Sequence, residues 1–230
     1  MTFKITTITL TPDAWPGALG VSLLGSGLKD GRWSLETIDL REFGYGKHNM
    51  VDDTCAGGGA GMVIKPDVAI NAVKSVNIGN RPIIYLTPRG KPLNQKKVRE
   101  LSKADGLVLF CGRFEGLDQR AIDILEMDEI SVGDFVLMGG DIAAQAMCEA
   151  VLRLIDGMMG KAESHENESF ENGLLEHPLY TRPREIEGHQ IPEVLLSGNH
   201  AAIEKWKIQK SEEVTRERRP DLWEKYKQSD

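Results

Sequence analysis

Three segments of the chain combine glycine with residues able to touch a ligand, and each follows a short apolar run. They are Tyr85-Leu86-Thr87-Pro88-Arg89-Gly90, Gly112-Arg113-Phe114-Glu115-Gly116 and Val132-Gly133-Asp134-Phe135-Val136-Leu137-Met138-Gly139-Gly140. In an open α/β sheet, ligands sit beyond the carboxyl ends of the strands, where glycine lets the backbone come close. Such loops offer mainly backbone N–H and C=O groups, which is the chemistry for enclosing a nucleotide-sized molecule. The same glycines also serve ordinary strand-to-helix turns, so spacing alone leaves both readings open. A glycine run at 57–61 lacks the lysine and hydroxyl of a P-loop, and no GxGxxG opens a helix, so a Rossmann dinucleotide site is not expected. The five histidines show no HxxxH or HExxH spacing, and Cys55, Cys111 and Cys148 form no CxxC pair. A protein metal site is therefore not expected.

The elements that would position these loops can be read from periodicity. Residues 3–10 alternate β-favouring side chains and predict a first strand, residues 12–27 a helix, and residues 33–40 a second strand. Residues 41–62 read as a loop. Pro66 opens a helix from the first-turn position, where its missing N–H costs nothing. Three short strands follow, at 82–87, 107–111 and 129–132, with Asn94, Asp118 and Asp141 placed to cap the helices after them. Cys111, closing the second of these, reads as a small buried hydrophobe. Along the last helix Ala143, Met147, Ala150, Val151 and Leu154 recur at helical spacing and predict a core stripe. Short strands alternating with amphipathic helices mean an α/β fold with a largely parallel sheet. Composition changes at Gly157. The expected organisation is an α/β domain over 1–157, a polar acidic linker over 158–176, and a tail of about 50 residues over 177–230 that is small to stand alone. Within the tail, residues 199–226 are helical in pattern, and Trp206 with Ile203 predicts a core contact.

The chain has 230 residues and a net charge of −7, with 40% hydrophobic and 27% charged residues. That balance excludes disordered, collagen-like and disulfide-scaffold chains. No apolar run approaches the ~18 residues of a membrane helix, and the amino terminus carries no secretory pattern, so a cytoplasmic protein without a membrane partner is expected. The charge is uneven: residues 80–120 hold nine Lys/Arg against four Asp/Glu, whereas residues 121–176 hold two against thirteen. A polyanion needs only one local basic face, so the acidic total does not exclude nucleic acid.

A family resemblance rests on five segments in a fixed order. These are Val51-Asp52-Asp53 with the run 57–62, then 112–116, 132–140, Gly173-Leu174-Leu175-Glu176-His177-Pro178-Leu179-Tyr180-Thr181-Arg182-Pro183, and Leu195-Leu196-Ser197-Gly198-Asn199-His200. Together they resemble the bacterial TrmD family, the tRNA (guanine-N(1)-)-methyltransferases, over essentially the whole chain. The resemblance implies a homodimer of the SPOUT class. Its α/β domain would hold a deep trefoil knot, which no sequence periodicity reveals, and its carboxy-terminal domain would be helical and bind tRNA. It implies S-adenosylmethionine as methyl donor, held by Tyr85, Leu86, Pro88, Gly112, Glu115, Gly116, Val132, Gly133, Asp134, Phe135, Val136, Leu137, Gly139 and Gly140. It also implies a target, the guanine at tRNA position 37, just 3′ of the anticodon.

The guanine nitrogen carries a proton, and losing it leaves negative charge partly on the neighbouring carbonyl oxygen. A carboxylate base and a cation near that oxygen are the expected pair. By position, the resemblance assigns these roles to Glu168, before Ser169-Phe170, and to Arg153. The family usually has aspartate at the former, and Glu163, Glu166 and Glu171 lie close by. Without the resemblance Glu168 reads as one solvated carboxylate of an acidic linker, and Arg153 as the ion-pair partner of Glu149 four residues earlier. The resemblance implies a shared active site across the dimer. Magnesium could accompany the RNA. Arg182, Arg184, Lys205, Lys207, Arg216, Arg218 and Arg219 are candidates for phosphate contact or simply solvated faces. The competing readings are a SPOUT enzyme acting on ribose or another base, a non-catalytic RNA-binding module, and a nucleotide-binding α/β enzyme unrelated to RNA.

Overall fold

The computed structural model describes residues 2–159 and 168–228. The chain divides into two compact units, Met1–Gly160 and Lys161–Asp230.

In the first unit the elements run β1 (Phe3–Thr9), α1 (Ser22–Lys29), β2 (Trp33–Asp39), β3 (Asp52–Thr54), β4 (Met62–Ile64), α2 (Pro66–Lys74), β5 (Ile83–Pro92), α3 (Gln95–Leu101), β6 (Gly106–Phe110), α4 (Gln119–Ile124), β7 (Asp128–Ser131) and α5 (Asp141–Leu152). Five strands form one sheet in the order β2-β1-β6-β5-β7, with every pairing parallel. Alternation along the central strands supplies two cores. Leu107, Leu109 and Cys111 face one side with α1, α3 and α5, while Val108 and Phe110 face the other with α2 and α4. A parallel sheet covered on both faces needs such apolar strands. β6 is accordingly buried along its whole length. Helix α5 buries Ala143, Ala144, Met147, Cys148, Val151 and Leu152, a wider stripe than the sequence spacing marks. Ala150 is only partly buried, and Leu154 lies beyond the end of the helix. Truncating Met147 to alanine at this interface should cost about 2–5 kcal/mol.

Local signals hold where one residue acts alone. Pro66 is the first residue of α2, and the side-chain oxygens of Asn94 and Asp118 accept the N–H groups of Lys97 and Arg120. The helix expected over 12–27 is instead two 3-10 turns, Pro12–Ala14 and Gly17–Gly20, followed by α1. Pro16, Gly17 and Gly20 interrupt it, since none of them supports a helix interior. The expected loop over 41–62 contains a 3-10 turn, Leu40–Phe43, and the antiparallel hairpin β3–β4. Asp141 is not a cap: α5 starts on it, and its carboxylate is taken by other partners. β5 does not end at residue 87. Leu86 and Lys91 both pair with Ile130 of β7, so residues 87–90 bulge out of a strand that then resumes. Gly90 packs against the Ile130 backbone at a place where a Cβ would collide.

The second unit holds the small hairpin β8 (Glu185–Ile186) and β9 (His189–Gln190), then α6 (Glu193–Leu196), α7 (His200–Arg218) and α8 (Pro220–Lys227). Asn199 caps α7 by accepting the Ala202 N–H at 3.2 Å, and Pro220 opens α8. Of α7 only Thr215 is buried. Its hydroxyl accepts the Leu175 N–H at 2.8 Å, which fixes the 168–176 segment to the helix. Trp206 is half-buried beside His177 and Tyr180, with ring centroids 6.1 Å away in each case, and so is no core residue. No helix among the described residues is long and apolar enough to cross a membrane.

Candidate active site

The three glycine-bearing segments converge. The bulge at 87–90, the turn after β6 and the long loop after β7 line one cavity of about 190 Å³ at the carboxyl end of the sheet. Tyr85 forms its floor. Its buried ring meets Phe110 edge-on at 6.1 Å, and its hydroxyl accepts the Leu117 N–H at 3.1 Å. Burial raises the pKa of this phenol, which therefore stays protonated. The ring also explains two glycines: a Cβ on Gly112 would stand 2.9 Å from Tyr85 Cε2, and one on Gly116 2.9 Å from its hydroxyl.

The second loop is held from outside by β4. Glu115 donates its N–H to Met62, and Ile64 donates to Gly116, each at 2.9 Å. Gly61, with φ +97°, lies so close to the Glu115 side chain that a Cβ would overlap it. The glycine run that resembles no phosphate cradle thus serves the neighbouring loop through its last member.

The third loop is stitched to the second. Gly140 donates its N–H to the Gly112 carbonyl at 2.8 Å, and Arg113 Nη1 donates to the Met138 carbonyl at 3.3 Å. At its start, the Ser131 hydroxyl donates to the Gly133 carbonyl at 3.0 Å. The walls are mostly apolar, from Leu86, Ile130, Val132, Leu137 and Ala143, and the charged groups on the lining are Arg113 and Glu115. Such a cavity can hold a flat, partly apolar ligand through backbone groups and offers a carboxylate to a cationic centre.

Every cofactor candidate named from the sequence lines this cavity except Asp134, which stands exposed on the third loop. Thr87, Arg113, Phe114, Ile130, Ser131, Met138 and Ala143 also line it and were not singled out. Four of them lie inside the same three segments, so their membership was visible but their orientation was not. Ile130, Ser131 and Ala143 flank the third segment on β7 and α5.

The family described as tRNA (Guanine-1)-methyltransferase TrmD matches residues 3–225. The chain belongs to the TrmD family. Curated members named tRNA (guanine-N(1)-)-methyltransferase from Brucella ovis, Brucella melitensis biotype 1 and Brucella suis are each 54% identical to it over 224 residues. The aligned part covers 97% of this chain and 91–92% of theirs.

The two TrmD-family catalytic candidates lie in different units. Arg153, in the first, is the C-cap of α5, half-buried, and its N–H reaches the Glu149 carbonyl at 3.2 Å. Glu168, in the second, begins a short turn in which its carbonyl accepts the Glu171 N–H at 3.3 Å and the Ser169 hydroxyl accepts the Glu176 N–H at 2.9 Å. The segment is therefore built rather than extended. The Glu168 side chain lines a smaller hollow with Asn172, Glu176, His177, Lys207 and Ser211. Glu163, Glu166 and the 160–167 part of the linker expected over 158–176 lie outside the described residues. Among the described residues, no group of three or more His, Cys, Asp or Glu side chains could hold a metal ion.

Proposed function

We propose that the chain methylates the ring nitrogen N1 of guanine at tRNA position 37, next to the anticodon, with S-adenosylmethionine bound in the three-loop cavity. Its family is that of the tRNA guanine-1 methyltransferases. The observation that carries the finer reading is the convergence of three backbone-rich loops on one cavity at the end of a parallel sheet. The donor set suits the molecule: apolar walls for the adenine face, backbone groups for its polar edge, and Glu115 for positive charge. Bound there, adenosylmethionine would supply an electrophilic methyl group that leaves its sulfur as a neutral thioether.

The chain's own residues then have two tasks. A carboxylate must take the proton from guanine N1, and we assign this to Glu168, one methylene longer than the usual family aspartate. A cation must meet the negative charge that develops on O6, and we assign this to Arg153. Alignment does the remainder, because the methyl group is already activated.

A homodimer with a shared site belongs to the same proposal. Val21, Leu23, Val136, Met138 and Ile142 are large apolar side chains left exposed on the first unit. The second unit buries little of its own: α7 contributes Thr215 alone. Both features are what an obligate twofold partner would cover. The trefoil knot is part of this reading too, on the strength of the family.

Incubation with unmodified tRNA and labelled adenosylmethionine, followed by nucleoside mapping, tests the proposal. It expects 1-methylguanosine at position 37. Methylation of a ribose or another base would support a different SPOUT specificity, and tRNA binding without transfer would leave a binding module.

A further inference from the structure

Beneath the third loop lies a buried carboxylate that the proposed chemistry does not use. Asp141 is 6% exposed, the first residue of α5 and the neighbour of Gly140. Its Oδ1 accepts from the Thr9 hydroxyl at 2.6 Å and from Trp15 Nε1 at 2.9 Å. Its Oδ2 accepts from the Thr11 hydroxyl at 2.9 Å. Cys111, which follows β6 and precedes Gly112, faces the same carboxylate. Burial first, and then the charge of Asp141, push the Cys111 thiol well up, so it remains protonated.

An aspartate at this position could favour the helix dipole while staying in water. Burying it instead carries a desolvation cost that only good partners offset. Here the partners come from the end of β1, from the turn that follows it and from the end of β6. Of these, the end of β6 leads directly into the cavity's second loop, and the Cys111 N–H donates to the Ile8 carbonyl of β1 at 2.9 Å. The arrangement ties three chain segments, far apart in sequence, to the residue where the third loop enters its helix.

We infer that Asp141 is a positioning residue for the methyl-donor cavity. Through Thr9, Thr11, Trp15 and Cys111 its carboxylate fixes Gly139 and Gly140 against the Gly112 turn, so that the second and third loops keep the spacing a ligand needs. The inference rests on the reading of the cavity as the adenosylmethionine site.

Calorimetry with adenosylmethionine and steady-state kinetics on tRNA test it. Asp141→Asn keeps the size, but it loses the charge and turns an amide donor toward Thr11. It should raise the donor Kd and KM by ~10-fold or more, with kcat at saturating donor within about threefold and the KM for tRNA unchanged. A second pair needs no buried charge to be removed: Thr11→Val should raise the donor Kd by about threefold, and Thr11→Ser should restore the parental value. A folded Asp141→Asn protein with parental donor Kd would overturn the inference. If that variant does not fold, equal Kd values for Thr11→Val and Thr11→Ser would overturn it as surely. Absence of adenosylmethionine binding by the parental chain would instead remove the cavity reading, and this inference with it.

Discussion

Gly140 and Cys111 are so close that a methyl group on Gly140 would stand 3.0 Å from the Cys111 Cα and equally close to the Gly112 nitrogen. The φ of Gly140 is −78°, which any residue adopts, so the constraint is contact rather than torsion. Gly140→Val should therefore push the third loop off the second and open the cavity. Adenosylmethionine binding should fall below detection by calorimetry, with a stability loss of about 1–3 kcal/mol in urea. Unchanged affinity would take Gly140 out of the site.

Glu168→Gln keeps the reach of the side chain but cannot accept a proton. Methyl transfer in single turnover should fall by ~100- to 10,000-fold, with donor binding nearly unchanged. Glu168→Asp should retain substantial activity, because it restores the usual family residue. A glutamine variant as fast as the parent would reassign the base, with Glu171 the next carboxylate to test in the same turn.

Shared-site dimers allow complementation. Subunits carrying Glu168→Gln, mixed with subunits carrying Gly140→Val, should recover part of the parental rate, because some mixed dimers assemble one intact site. Mixed dimers that form, as checked by tag exchange, and yet remain inactive would argue for sites built within one chain.

The cysteines make a separate prediction. Cys55 is exposed, whereas Cys111 and Cys148 are buried and burial raises both of their pKa values. Only thiolates react with alkylating reagents. At pH 8 a maleimide or iodoacetamide probe should label Cys55 alone in the native protein and all three cysteines after denaturation, as read by peptide mass spectrometry. Native labelling of Cys111 would mean that the core between the sheet and α5 opens.

What was legible in the sequence depended on how local its cause was. Pro66, Asn94 and Asp118 act within one helical turn, and each does what its type and position dictate. The central sheet strands were visible as short apolar runs because both of their faces are buried. Asp141 misled, because a cap and a buried network use the same carboxylate. The deciding partners, Thr9 and Trp15, are more than 120 residues away. β3 and β4 were hidden because each spans three residues around a glycine run. At the site, the three glycine loops marked the cavity, while the roles of Glu168 and Arg153 came from family resemblance alone. Neither residue's spacing distinguishes a base or an electrophile from an ordinary surface charge.

Leu86 and Lys91 share a single partner, Ile130, so the sheet closes again on the same rung after the loop has left it. The pairing on both sides of the loop is therefore set by one residue of β7, with Gly90 pressed against its backbone. Thr87 and Pro88, at the other end of the loop, face the cavity instead. The fold thus separates the residue that keeps the sheet in step from those that shape the ligand wall, so substitutions at positions 87 and 88 can alter ligand preference without touching the register.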